Sequence, residues 1–222
     1  MKYGIIYADP PWKYLWGTGK DGGHFAPEKH YPTMSVEEIC NLNIRAIRAP
    51  KCALFLWTTM PTLPDAFKVM DAWGFKYKTC AFSWIKTRAD GKPLRGMGSY
   101  TKSNAELCLL GMRGHIKAAD KTVPQIVMHP RIGHSVKPPV VRERIVQLFG
   151  DLPRIELFAR QRTEDWDAAG FGIDGVGLEE ILTILIDEPN ENYPARITKN
   201  NKIIADMTME EKRKAAPLFY TG

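Results

Sequence analysis

Five short apolar runs, each bounded by turn-forming residues, constrain the fold of this chain more than any other feature: residues 4–8, 53–58, 80–86, 105–110 and 154–159. Runs of that length read as short strands, several of them buried on both faces. Between them the apolar residues switch to helical spacing. Ser35-Val36-Glu37-Glu38 forms a capping box and predicts a helix through about Leu42, because the Ser hydroxyl and the Glu carboxylate can each satisfy a free backbone N–H. Residues 64–73 set Phe67, Met70 and Trp73 three apart. Residues 139–149 set Val141, Ile145, Leu148 and Phe149 on one stripe ahead of Gly150, a C-cap. Strands alternating with helices predict an α/β sheet whose functional groups lie in loops at the carboxyl ends of strands.

The composition agrees with a globular chain of 222 residues, 44% hydrophobic and 25% charged. No run approaches the roughly 18 apolar residues of a spanning helix, and the N-terminal segment lacks a signal-peptide core, so a cytoplasmic location is expected. Cys40, Cys52, Cys80 and Cys108 form no C-x-x-C pair and read as buried small hydrophobes. Charge is uneven. Residues 1–150 hold 22 basic and 11 acidic side chains, whereas 151–222 hold 9 and 14. A basic body suits a polyanionic partner, although charge alone fits a solvated basic surface equally well.

Two stretches carry neither period, 13–33 and 87–103, both rich in Gly and Lys, which reads as functional lids or disordered segments. The chain divides at about residue 177. The remainder, 178–222, opens with an apolar helical stripe (Leu178, Ile181, Leu182, Leu185) and reads as an appendage without visible chemistry.

Asp9-Pro10-Pro11-Trp12 follows directly on the first strand. Two prolines fix φ, remove two N–H donors and leave carbonyls free to accept, so the segment reads as a rigid, acceptor-rich loop. It is either a proline turn with a core Trp or a device for methylating an exocyclic amine. In the second reading the two N–H bonds of an adenine N6 donate to the Asp9 carboxylate and the Pro10 carbonyl. That aims the lone pair at a methyl group and stabilises the positive charge developing on nitrogen. Trp12 would then offer a stacking face for the base.

The order of motifs decides between these readings. Asp9-Pro10-Pro11-Trp12 is followed by Tyr31-Pro32-Thr33-Met34-Ser35, Leu54-Phe55-Leu56-Trp57, Trp84-Ile85-Lys86, Glu106-Leu107-Cys108, Ser135-Val136-Lys137-Pro138 and Arg154-Ile155-Glu156-Leu157-Phe158-Ala159-Arg160. In this series the chain, over roughly residues 3–175, resembles the family named after the seventy-kilodalton subunit of the mRNA adenosine methyltransferase, which has bacterial and phage members. The resemblance implies an S-adenosylmethionine-dependent adenine-N6 methyltransferase. Its Rossmann-like sheet would be permuted, with the catalytic motif first, the cofactor strand last and helices on both faces.

The resemblance also implies roles. Asp9, Pro10, Pro11 and Trp12 would form the catalytic loop. Lys137 would hold the cofactor carboxylate, and Arg160 and Arg162, with Gln161 and Thr163 adjacent, would hold its ribose or carboxylate end. Tyr31, Glu106 and Ser135 would meet the target base together with Trp12, though Glu106 could instead pair with a lysine from 87–103. Where relatives of the eukaryotic enzyme carry Asn-Gln for the cofactor, this chain has Phe171-Gly172, where stacking could replace hydrogen bonding.

Residues 17–22 and 170–175 match G-x-G-x-x-G formally, but neither follows a strand and opens a helix, so neither reads as a nucleotide fingerprint. The five histidines form no metal-binding spacing, and no metal is expected. Residues 76–121 hold ten basic and three acidic side chains, and Arg88, Lys92, Arg95 and Lys102 accompany Tyr100, a composition suited to phosphates and bases. Nucleic acid is therefore the expected substrate, DNA in preference to RNA, reached by base flipping or in single strands. Target reading falls to residues 87–103, to lids 13–33 and 129–138, to the appendage, or to a homo- or hetero-dimer partner. The rival is a non-catalytic, nucleic-acid-binding subunit of the same fold, against which the intact Asp9 and Lys137 argue.

Overall fold

A computed structural model describes residues 2–13, 33–96, 100–133, 136–170 and 178–187. The first apolar run forms β1 (Tyr3–Ala8), and all six of its residues are buried. The chain continues through α1 (Val36–Asn41), α2 (Ile44–Ile47), β2 (Arg48–Thr58), α3 (Leu63–Ala72), β3 (Lys76–Thr87), β4 (Ala105–Arg113), β5 (Ile126–Pro130), α4 (Val140–Phe149), β6 (Arg154–Leu157), β7 (Asp167–Ala169) and α5 (Leu178–Asp187). One seven-stranded sheet results, in the order β5-β3-β4-β2-β1-β6-β7. β4 runs against both of its neighbours, whereas every other pairing is parallel.

Alternation along β2 shows why these runs become strands. Cys52, Leu54 and Leu56 enter one core layer, under α1, α2 and α3; Ala53, Phe55 and Trp57 enter the other, under α4. Each large side chain buried this way contributes about 1.5–3 kcal/mol. The expected helices form where the spacing places them, and Gly150 ends α4 with φ +80°. Leu178 and Leu182 of α5 join the first layer, so the helix that opens the expected appendage packs against the helical side of the sheet. Among the described residues no helix is long and apolar enough to cross a membrane.

Several expectations are corrected. Phe67 does not face the core with Met70 and Trp73. It is 36% exposed and meets Tyr77 edge-on, while Ala66 takes the buried position. Cys52 and Cys108 are buried, but Cys40 and Cys80 are only half-buried; all four are free thiols. Among its described residues the stretch 87–103 contains no named element after Thr87 ends β3, as its lack of period implies, and its first turn is closed by Arg88 and Lys92 bonded to Asp90.

Gly170, immediately after β7, passes so close to the end of β6 that a Cβ there would lie 2.3 Å from the backbone N and O of Ala159. Backbone cannot rotate out of the way. Gly170→Ala is expected to cost about 3 kcal/mol, lowering the melting temperature by roughly 6–12 °C. A melting temperature equal to that of the unaltered protein would show that the two strands are not so tightly apposed.

Candidate active site

The site lies where the strands end. Ala8 pairs with Leu56 of β2 and Leu157 of β6, so Asp9 leaves the sheet between the ends of two neighbours. The next three residues are fixed by backbone bonds. The Trp12 N–H donates to the Pro10 carbonyl at 2.9 Å, and the Met34 N–H donates to the Pro11 carbonyl at 2.9 Å. Met34 precedes α1, whose capping box is formed: the Glu38 N–H donates to Ser35 Oγ at 3.2 Å and the Ser35 N–H to Glu38 Oε2 at 2.6 Å. The loop after β1 is thus anchored to a capped helix, as a rigid presenter of oxygens should be.

Trp12 is placed differently from the expected stacking face. Its ring is 5% exposed, packs in the layer beneath α1, and donates its indole N–H to the Trp57 carbonyl at 3.0 Å. The residue anchors the loop to the sheet, the core-Trp arrangement that the proline-turn reading expects. Trp57 passes the arrangement on, its indole N–H donating to the Tyr7 hydroxyl at 2.7 Å. Burial pushes the Tyr7 hydroxyl well above its ordinary pKa, so it stays protonated.

Around Asp9 the structure assembles a row of alternating charge. Lys137 Nζ donates to Asp9 Oδ2 at 2.7 Å and lies 3.3 Å from Glu106 Oε2. Lys86 Nζ holds Glu106 Oε1 at 2.5 Å. Side-chain exposures of 24% for Asp9, 9% for Lys137, 14% for Glu106 and 23% for Lys86 show a row sunk beneath the surface but open at both ends. Lys137 also sits 5.5 Å over the Trp57 ring, a contact that favours the ammonium.

The three partners titrate differently. Burial raises the Asp9 carboxyl above its ordinary value, and Lys137 offsets this only in part. Burial also works against charge on Glu106, but Lys137 and Lys86 outweigh it and hold that carboxyl below the usual range. Lys137 is disfavoured by burial as well, yet Asp9 and Glu106 together raise its pKa. Glu106 and Lys137 are thus held in their charged forms, whereas Asp9 takes up a proton more readily than an exposed aspartate does.

Behind this row Arg142 of α4 grips Glu156 of β6 through two bonds, 2.7 and 2.9 Å, and stacks 5.6 Å over the Tyr7 ring. This buried pair fixes α4, and hence the segment leading from Lys137, against the central strands. At the end of β6, Phe158 takes φ +59°, a conformation rarely adopted by a non-glycine residue. Arg160, two residues on, comes close enough for its charge to favour ionised Asp9. Gln161 and Arg162 are exposed beside it, and Thr163 is half-buried in a bridge with Trp166.

The structure thus unites Asp9, Lys137, Glu106 and Arg160 of the sequence-derived set. Glu106 pairs with Lys86 and Lys137, not with a lysine from 87–103 as its alternative reading expects. Tyr31, Ser135, Phe171 and Gly172 lie outside the described residues, as do Gly17, His24, His30 and His134 and most of 13–33. Sequence reasoning gave no role to Lys86, Tyr7 or Arg142; a lysine closing the apolar run Trp84-Ile85 was the available signal. Arg88, Lys92, Arg95 and Lys102, in the connection between β3 and β4, are exposed, and Tyr100 in the same connection is 93% exposed.

With the geometry in place, comparison gives a consistent set of relatives. The chain matches the MT-A70 family over residues 3–171. It is 35% identical over 203 residues to the type II methyltransferase M.MunI of a Mycoplasma species, covering 84% of each chain. It is 24% identical over 180 residues to an N(6)-adenosine-methyltransferase MT-A70-like protein of Arabidopsis thaliana, covering 79% of this chain and 24% of that one. An MT-A70-like protein of Medicago truncatula is 26% identical over 183 residues, covering 80% of this chain and 27% of that one.

Proposed function

The chain belongs to the MT-A70 family of methyltransferases, and on that premise we propose that it transfers a methyl group from S-adenosylmethionine to the N6 amine of adenine in nucleic acid, DNA in preference to RNA. The observation carrying this reading is the Asp9 carboxylate at the rim of the sheet beside the Pro10 carbonyl, in a loop pinned on both sides. Similarity over most of both chains to a type II methyltransferase favours DNA. The shorter match to plant N(6)-adenosine-methyltransferase-like proteins supports RNA as the second reading.

The residues present fit such a cofactor. Lys137 offers an ammonium for its carboxylate, and Arg160 and Arg162 offer guanidinium forks at the end of β6, next to Asp9. S-adenosylmethionine supplies a methyl group on a positively charged sulfur. In the permuted reading that belongs to this proposal, β1 carries the catalytic loop and β6, its neighbour, is the last-coming cofactor strand. Residues 1–177 are the methyltransferase unit, with α5 packed on it.

Asp9 accepts one N–H of the target amine. The Pro10 carbonyl, which has two lone pairs and uses one for the Trp12 N–H, accepts the other. Held this way, the nitrogen points its lone pair away from the ring plane, and both oxygens stabilise the charge it acquires. As the N–CH3 bond forms, one N–H proton must leave, and the Asp9 carboxylate, with its raised proton affinity, takes it. Trp12 contributes rigidity from below. Exposed Lys92, Arg95 and Lys102 supply phosphate contacts and Tyr100 a stacking ring.

Incubation with labelled cofactor and a panel of DNA and RNA, followed by mass analysis of the nucleosides, is expected to yield N6-methyladenine in DNA. Product in RNA alone would move the substrate; no methylated purine in either would overturn the reading. The rate should also fall on acidification at a pH above the range of an exposed aspartate, because Asp9 must be ionised to accept and burial raises its pKa. An acid limb at the ordinary aspartate value would remove Asp9 from the rate-determining ionisation.

A further inference from the structure

We propose that Lys86 is a positioning residue for this reaction, acting through Glu106 on the grip that Lys137 exerts on Asp9. The inference rests on the proposed function for its kinetic consequences, but its structural core does not.

The two cations take different oxygens of Glu106. Lys86 holds Glu106 Oε1 at 2.5 Å, whereas Lys137 lies on the other oxygen, Oε2, at 3.3 Å. A carboxylate bound on both oxygens cannot rotate, so the direction in which Glu106 pulls Lys137 is fixed. That pull competes with Asp9, which holds the same ammonium at 2.7 Å. Lys137 is therefore shared, and the share taken by Asp9 depends on how strongly charged and how well aimed Glu106 is.

The strand pattern puts these groups in one line. Trp84 of β3 pairs with Glu106 of β4, and Lys86, two residues beyond Trp84, projects from the same end of β3. Lys86 lies 5.1 Å over the Trp84 ring, which holds its stem in place, and Trp84 is itself fixed by donating its indole N–H to the His129 carbonyl at 2.9 Å. The charged and titratable groups facing Glu106 are Lys86 from β3, Lys137 from the segment before α4, and Asp9 from the loop after β1; His129 of β5 pairs across from Lys86. A lysine meant for a phosphate would keep its ammonium in solvent, as exposed Lys92 and Lys102 do. Lys86 has its ammonium spent on a carboxylate.

Removing the Lys86 charge leaves Glu106 buried with one cation. Glu106 then takes a proton more readily and turns more freely, Lys137 settles on Asp9, and the oxygen needed for the amine is drawn off line. Nothing in this sequence requires Lys86 to touch either substrate.

The test uses the full chain and the variants Lys86→Met, Lys86→Arg and Glu106→Gln, singly and with Lys86→Met in the Glu106→Gln background. Lys86→Met is expected to lower kcat by about tenfold while KM for nucleic acid stays within about threefold. Its acid limb should move to lower pH, because a neutral Glu106 and a Lys137 settled on Asp9 both favour the ionised Asp9 carboxylate, and Lys86→Arg should restore kcat to within about threefold of the unaltered enzyme. In the Glu106→Gln background Lys86→Met should do nothing further, because the residue through which it acts is already neutral. A rise in KM with kcat unchanged, or losses that multiply in the double variant, would overturn the inference in favour of a direct phosphate contact.

A second measurement needs no substrate. The carbon-13 titration of the Glu106 carboxyl, assigned by its absence in Glu106→Gln, should have a higher midpoint in Lys86→Met than in the unaltered chain. An unchanged midpoint defeats the inference whether or not methyl transfer is seen. A raised midpoint in a protein that transfers no methyl group leaves it standing and defeats the proposed function alone. Lys86→Gln takes the place of Lys86→Met in every comparison if the latter does not fold.

Discussion

Asp9→Ala is expected to lower kcat for methyl transfer by about a thousandfold while leaving the melting temperature within roughly 4 °C of the unaltered protein. The first half follows from the task assigned to the carboxylate, since an alanine can neither hold the amine out of plane nor stabilise the charge it gains. The second half follows from the titration. A carboxyl whose pKa is raised in the folded protein is, once ionised, harder to charge there than in the unfolded chain, so at neutral pH it contributes no net stability that alanine would forfeit. Lys137, deprived of Asp9, keeps Glu106 at 3.3 Å. Labelled-methyl incorporation beside thermal melts at pH 7 checks both halves. Ordinary turnover by the variant removes the proposed chemistry, and a collapse in stability would show that Asp9 serves the fold instead.

Lys137→Met is expected to behave differently, losing stability as well as cofactor binding. Asp9 and Glu106, one-quarter exposed or less, are left facing one another without the cation between them. Breaking a buried ion pair from one side costs about 3–5 kcal/mol, a fall in melting temperature of roughly 6–20 °C. The pH dependence identifies the cause. Glu106 titrates below the usual range in the intact protein, so its contribution is present at neutral pH and disappears as pH falls through that lowered midpoint. Lys137 titrates above its usual value, so its contribution persists below the ordinary lysine range and disappears as pH rises through the raised one. The gap between variant and parent should be widest near neutrality and close toward acid, where both carboxylates take protons. A gap that stays constant from pH 4 to pH 9 would show that lost packing over Trp57, not charge, accounts for the loss.

The elements legible in the sequence were those whose local pattern and final burial agree. β1 and β2 are apolar on both faces because helices cover both sides, and a run such as Ala53-Leu54-Phe55-Leu56-Trp57 has no other way to be satisfied. β5 and β7 were missed for the opposite reason. β5 leaves Ile126 and Met128 half-exposed and ends in a proline, and β7 has three residues, so neither carries a period long enough to read. Phe67 misled because spacing specifies a stripe and not its edges; Ala66 is the residue that fits beneath α3.

The site divides similarly. Asp9 and Lys137 were each visible within a motif, but their 2.7 Å contact spans 128 positions of sequence and is created by the sheet order alone. Trp12 was visible too, as either a core residue or a stacking face, but its partner was not, because the carbonyl that receives its indole N–H belongs to β2. Lys86 was passed over since nothing local distinguishes a lysine that ends a strand in solvent from one that ends it against a carboxylate.

The reversed direction of β4 has one more effect. Because it enters the sheet where its neighbours leave, Glu106 stands at the start of its strand, and the connection from β3 turns over at the same edge as the charged row. That hairpin tip can be lengthened, shortened or exchanged without sliding either strand against its partner. In the proposed function this segment is the one that meets the polymer, so its residues can be exchanged for a new target preference while the strands that carry Glu106 and Lys86 keep their register.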